Sequence, residues 1–152
     1  MLEQRWILAD ADATAALGQA WAAALDDGLV VHLHGELGAG KTTFARALLV
    51  ALGVRERVKS PTYSLVERYD AGTRAAWHLD LYRIADPQEL HWLGLDGLGD
   101  ETALVLIEWP ERGAGSLPAA DLALHLAYAG EGRSVLAVAA TARGARFLQR
   151  LG

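Results

Sequence analysis

Hydrophobic and polar positions along this chain follow two rhythms in turn, one of strands and one of helices. Leu29-Val30-Val31-His32-Leu33-His34 is a short aliphatic and β-branched run, the composition of a strand buried on both faces of a parallel sheet. Residues 44–52 are apolar at helical spacing and stop before Gly53, a residue that closes helices in a left-handed conformation. A strand, a glycine-containing loop and a helix are therefore expected in that order. Upstream, residues 3–8 predict a short edge strand, and Asp10 or Asp12 supplies the N-cap of a helix over 13–25. Leu17, Ala20, Trp21, Ala24 and Leu25 share one face of that helix.

The second half is richer in alternation. Residues 64–69 and 75–82 read as a hairpin joined through 70–74, with His78, Asp80 and Tyr82 on one face and Trp77, Leu79 and Leu81 on the other. That polar face either looks into a binding site or is the wet side of an antiparallel sheet. Asp86-Pro87-Gln88-Glu89 carries the signals of a helix start, and Gly94, Gly97 and Gly99 break up the chain beyond it. Ala103-Leu104-Val105-Leu106-Ile107-Glu108 is an aliphatic strand ending in a carboxylate. Trp109-Pro110 turns the chain outward. Residues 122–128 and 134–139 form a closing hairpin, and 142–151 a terminal helix. His125, within that hairpin, reads as structural.

With 152 residues, and neither an internal repeat nor a linker, the expectation is one domain over 1–152. The absence of cysteine excludes disulfides and thiolate metal sites and points to a reducing compartment. No basic and apolar leader is visible and no apolar run is long enough to span a bilayer, so the expected location is cytoplasmic. A net charge of −5 argues against a broad basic surface for DNA or RNA, so any contact with RNA is expected to run through partners.

Gly35-Glu36-Leu37-Gly38-Ala39-Gly40-Lys41-Thr42-Thr43 fits the phosphate-binding loop pattern: glycine, four residues, glycine, lysine, then serine or threonine. Glycines allow positive φ and let backbone N–H groups close around phosphate oxygens. Lys41 adds a flexible charge for the β and γ phosphates, and the Thr42 hydroxyl stands at the helix start to ligate Mg²⁺. Glu108, at the end of an aliphatic strand, is the acid expected to face that metal. Ser60-Pro61-Thr62-Tyr63 is either a nucleotide-sensing switch or a rigid turn. The fold class expected is α/β, a P-loop NTPase-like three-layer arrangement. Its sheet is mixed and mainly parallel, with about seven strands and antiparallel hairpins.

Four segments in this order and spacing, 35–44, Ser-Pro-Thr-Tyr at 60–63, His-Leu-Asp-Leu-Tyr-Arg at 78–83 and Ile-Glu-Trp at 107–109, closely resemble the TsaE (YjeE) family. The resemblance implies a Mg²⁺-dependent ATPase that binds ATP and ADP. It implies a role in making threonylcarbamoyladenosine (t6A) in tRNA, together with the TsaB–TsaD pair. It also implies site roles: Gly38, Ala39, Gly40 and Lys41 around the phosphates, Thr42 and Glu108 on Mg²⁺, Thr43 at the α-phosphate. Asp80 would position water or metal, Trp109 would lie beside the nucleotide, and Thr14 and Arg133 would approach base or ribose. Two other readings stay open at this point. One is a small-molecule kinase using the His78, Asp80 and Tyr82 face as acceptor site. The other is a nucleotide-gated binding module in which hydrolysis is incidental.

Overall fold

The computed structural model describes residues 2–55, 58, 61, 65–95 and 97–152. Among these residues seven strands form one sheet: β1 (Glu3–Leu8), β2 (Leu29–His34), β3 (Val66–Asp70), β4 (Ala75–Asp80), β5 (Leu104–Glu108), β6 (Leu122–Ala129) and β7 (Gly132–Ala139). Their spatial order is β1-β7-β6-β2-β5-β4-β3. β2 lies between β5 and β6 and is parallel to both, and β4 is parallel to β5. β3, β7 and β1 add antiparallel pairings at the two flanks. Five strands thus run one way and only β3 and β7 the other, which is the mixed, mainly parallel sheet expected. β1 is the edge strand that its six residues predicted.

Three α-helices, α1 (Ala11–Ala24), α2 (Lys41–Ala51) and α3 (Ala142–Leu151), cover one face. Asp10 caps α1 by accepting from the Ala13 amide at 2.9 Å. Trp21 is the centre of this layer: its ring meets Phe44 of α2 edge-on at 5.1 Å and Phe147 of α3 at 4.9 Å. The close approach of α1 to α2 depends on Gly18, where a Cβ would lie 2.9 Å from the Ala47 carbonyl carbon. The face expected from spacing is corrected in part, since Ala20 is exposed while Gly18 is buried. α2 ends before Gly53, whose φ of +91° is the left-handed closure anticipated.

The other face is covered more thinly. Trp77, Leu79 and Leu81 join Val30, Val105 and Ile107 beneath Ile84, Leu90 and Leu98. The covering pieces are two 3₁₀ helices, Pro87–Trp92 and Pro110–Gly113, with irregular chain around them. The Asp86 start signal forms a full capping box, but the helix it opens is a 3₁₀ helix of 6 residues. Just beyond it Gly94 takes a left-handed φ of +67°, which ends helical continuation. The third layer is therefore made of turns rather than α-helices. Among the described residues, no helix is long and apolar enough to cross a membrane.

Asp121 ties three elements together. Its carboxylate accepts from the Val30 amide at 2.9 Å, the Thr141 hydroxyl at 2.7 Å and the Arg143 guanidinium at 2.7 Å. Burial works against its charge, but these donors together hold it below the usual carboxylate range. A carboxyl with a depressed folded value stabilises above its unfolded value and loses that contribution as pH falls through the folded one. Asp121→Ala is expected to cost about 3 kcal/mol, because three donors lose their acceptor at a buried site. Denaturant melts of Asp121→Asn should show a deficit at pH 7 that shrinks as the pH drops below 3.8.

Candidate active site at the carboxyl ends of the parallel strands

The loop after β2 runs into the N-terminus of α2, and Gly38, Gly40, Lys41, Thr42 and Thr43 at that junction line one cleft at the positive end of the helix. Gly35, Gly38 and Gly40 have φ of +151°, +81° and +106°. A Cβ at Gly35 would stand 2.5 Å from the Leu126 carbonyl oxygen, so β6 itself demands glycine there. The β6–β7 hairpin also grips the loop's apex. The Tyr128 hydroxyl donates to the Leu37 carbonyl at 3.3 Å, and Arg133 donates to the Gly38 carbonyl at 3.4 Å. The two side chains are stacked, with the guanidinium 4.3 Å from the ring centre. Nothing in the pattern of residues 122–139 singled out Tyr128; its role comes only from the pairing of β6 beside β2.

Lys41 begins α2 and is buried. Its ammonium donates to the Gly35 and Glu36 carbonyls and lies 4.2 Å from the centre of the Trp109 ring. Burial pulls its pKa below the ordinary lysine value, opposed by the charges of Glu108, Asp80 and Glu111. Trp109 takes φ of +57°, a left-handed backbone unusual for a bulky residue. That kink turns the indole toward Lys41 at the point where Trp109-Pro110 leaves the sheet. Tyr82 packs against the same indole at 5.0 Å.

Parallel pairing sets Asp80 opposite Glu108 at the ends of β4 and β5. Both carboxylates are buried, at 7% and 2% exposure. The Thr42 hydroxyl lies 2.9 Å from both Glu108 oxygens, and His78 Nε2 lies 2.6 Å from Oε2. Asp80 accepts from the Tyr82 amide at 3.1 Å. Burial pushes the Asp80 carboxyl up, and the neighbouring Glu108 charge adds to this; the Tyr82 amide, His78 and Lys41 oppose it. The wet-side reading of His78 and Asp80 is therefore corrected: β4 is an interior strand, and α2 covers that face. Tyr82 lies beyond the strand end and is exposed.

These groups line a cleft of about 200 Å³ that holds Gly38, Gly40, Lys41, Thr42, Thr43, Asp80, Tyr82, Glu108 and Trp109. A second cavity of about 220 Å³ shares Gly38, Gly40 and Thr43 with it and is bounded by Thr14 and Arg133. Every site residue expected from the sequence lines one of the two except Ala39. Its methyl is fully buried, and its amide donates to the Glu36 carbonyl at 3.0 Å. Of Ser60-Pro61-Thr62-Tyr63, only Pro61 falls within the described residues, and the switch expectation lies outside them. His125 sits on the far face of β6, exposed and stacked on His34 at 4.9 Å.

The donor set suits Mg²⁺. A hydroxyl and a carboxylate are hard oxygen ligands, and Mg²⁺ is ordinarily held by one or two carboxylates while phosphate and water complete its octahedron. Among the described residues, no three side chains of histidine, cysteine, aspartate or glutamate are arranged to hold an ion unaided.

Comparison with known proteins agrees with this architecture. The family model described as "Threonylcarbamoyl adenosine biosynthesis protein TsaE" matches residues 8–135. A protein named tRNA threonylcarbamoyladenosine biosynthesis protein TsaE from Haemophilus influenzae is 43% identical over 116 residues, 76% of this chain and 73% of its own length. One of the same name from Treponema pallidum is 34% identical, covering 89% of this chain and 99% of its own. The crystal structure of Bacillus subtilis YdiB superposes with a TM-score of 0.82 at 28% identity, over 99% of this chain and 94% of that one. With the loop, the paired carboxylates and the sheet order in place, the chain belongs to the TsaE family of threonylcarbamoyl adenosine biosynthesis proteins.

Proposed function

We propose that this chain binds ATP with Mg²⁺ across the two joined cavities and hydrolyses it to ADP and phosphate. In this reading it is the ATPase component of the t6A machinery and acts with the TsaB–TsaD pair. The observation that carries the reading is the contact of Thr42 and Glu108, 2.9 Å apart at the start of the helix that succeeds the glycine loop. The loop amides hold the β and γ phosphates, Thr43 meets the α-phosphate, and Thr14 and Arg133 flank the nucleoside. When bound, Mg²⁺ would supply positive charge against the phosphates, and Thr42 and Glu108 would hold it. Lys41 counters charge on the transferred phosphoryl group. Asp80 orients the attacking water; burial raises its proton affinity. The water oxygen bonds to the γ-phosphorus as the bond to the β–γ bridging oxygen breaks, the bridging oxygen leaves with ADP, and the proton that the water gives up passes to solvent.

A formal charge of −5 favours work through partners over direct gripping of tRNA. The kinase alternative needs an acceptor at His78, Asp80 and Tyr82, yet His78 is fully buried and bonded to Glu108. The test is tRNA modification reconstituted with TsaB–TsaD, with and without this chain, alongside phosphate release measured with no added acceptor. Expected are phosphate release from ATP and many modification cycles only when ATP is hydrolysable. Equal support from ATP and a non-hydrolysable analogue over many cycles would overturn the ATPase reading in favour of a nucleotide-gated module.

A further inference from the structure

His78 has no role in the hydrolysis described above, yet it is a fully buried polar residue on β4. Its Nε2 lies 2.6 Å from Glu108 Oε2, and the two side chains are 1% and 3% exposed. Its other ring nitrogen, Nδ1, is buried with no hydrogen-bond partner among the described residues. An apolar side chain would fill the same space without leaving a nitrogen unsatisfied, so packing alone does not account for an imidazole here. What the imidazole adds is one donor, aimed at one carboxylate oxygen.

We infer that His78 is a positioning residue that fixes the Glu108 carboxylate for Mg²⁺. This rests on the Mg²⁺-nucleotide reading of the site. The carboxylate is held on two sides. The Thr42 hydroxyl lies 2.9 Å from both oxygens, on the side of the glycine loop. His78 anchors Oε2 from behind, two residues before Asp80 on the same face of β4. Parallel register then sets Asp80 beside Glu108 and His78 beside Leu106, so the imidazole reaches across to the neighbouring strand's last residue. A ligand oxygen locked in this way enters the metal shell without first losing side-chain freedom. Groups that orient metal ligands in other proteins commonly contribute 10- to 100-fold in metal affinity, an order-of-magnitude guide for His78.

The test uses two amides of different reach. In His78→Gln the side-chain nitrogen falls near the place of Nε2 and still donates to Glu108, whereas in His78→Asn it falls near Nδ1 and does not reach. ADP affinity is measured by calorimetry in Mg²⁺ and in EDTA, and Mn²⁺ bound with ADP is followed by electron paramagnetic resonance. For His78→Asn, the affinity gained from Mg²⁺ should drop by roughly tenfold or more, with affinity in EDTA within about twofold of the parent. His78→Gln should keep most of the gain and a Mn²⁺ spectrum like the parent's. An undiminished Mg²⁺ gain in His78→Asn overturns the inference. So does an equal fall with and without metal in both variants, which marks a structural role. If the parent itself gains nothing from Mg²⁺, the metal reading of the site fails, and His78 with it.

Discussion

Lys41→Ala is expected to lower the turnover of ATP hydrolysis by about a hundredfold or more, the usual cost of removing one strong electrostatic donor from a preorganised site. The position of the ammonium explains the size of the effect. It is held by the Gly35 and Glu36 carbonyls and by the face of Trp109, 4.2 Å away. Its charge is therefore fixed at the loop before any phosphoryl group is transferred, and little reorganisation is left to the reaction. Burial destabilises the charged form, and the charges of Glu108, Asp80 and Glu111 oppose that effect. The substitution removes that charge and leaves two acids, Asp80 and Glu108, lining a site that must receive a polyphosphate. Nucleotide binding should weaken along with turnover. Phosphate release at the parent rate from Lys41→Ala would remove lysine from the chemistry and the phosphate-loop reading with it.

Much of this site is legible in the residues alone. The glycine loop, Lys41 and Thr42 are contiguous, and a local motif carries its own geometry. Glu108 is legible because an acid ending an aliphatic strand has few structural uses. The strand–loop–helix order is readable for the same local reason. Hidden from the sequence is anything set by sheet order. His78 and Asp80 alternate as an exposed strand would. Only the placement of β4 next to β5, with α2 across that face, makes them buried neighbours of Glu108. Tyr128 and Gly18 are similar cases, each defined by a neighbour remote in sequence. The helix signal at Asp86 is locally complete, yet the chain after it packs as a 3₁₀ turn over Leu79 and Leu81. Capping chemistry marks where a helix starts and is silent on how far it runs.

Glu108→Gln should lower Mg²⁺-dependent hydrolysis by about a hundredfold or more while leaving the protein folded. The amide is nearly isosteric and retains an oxygen that the Thr42 hydroxyl and His78 Nε2 can reach, so the packing at the end of β5 is preserved. What is lost is the negative charge that a divalent ion needs from the protein. The same change removes one of two facing acids, and Asp80, whose carboxyl is raised by burial and further by the Glu108 charge, should move back toward its ordinary value. Calorimetry should therefore show ADP binding that no longer strengthens when Mg²⁺ is added. Asp80→Asn separates the two acids: if Asp80 holds water and not metal, that variant keeps the Mg²⁺-dependent gain in ADP affinity and loses hydrolysis. Were Glu108→Gln to keep the full Mg²⁺ gain and Asp80→Asn to lose it, the roles of the two carboxylates would be exchanged. The metal would then sit on β4, not β5.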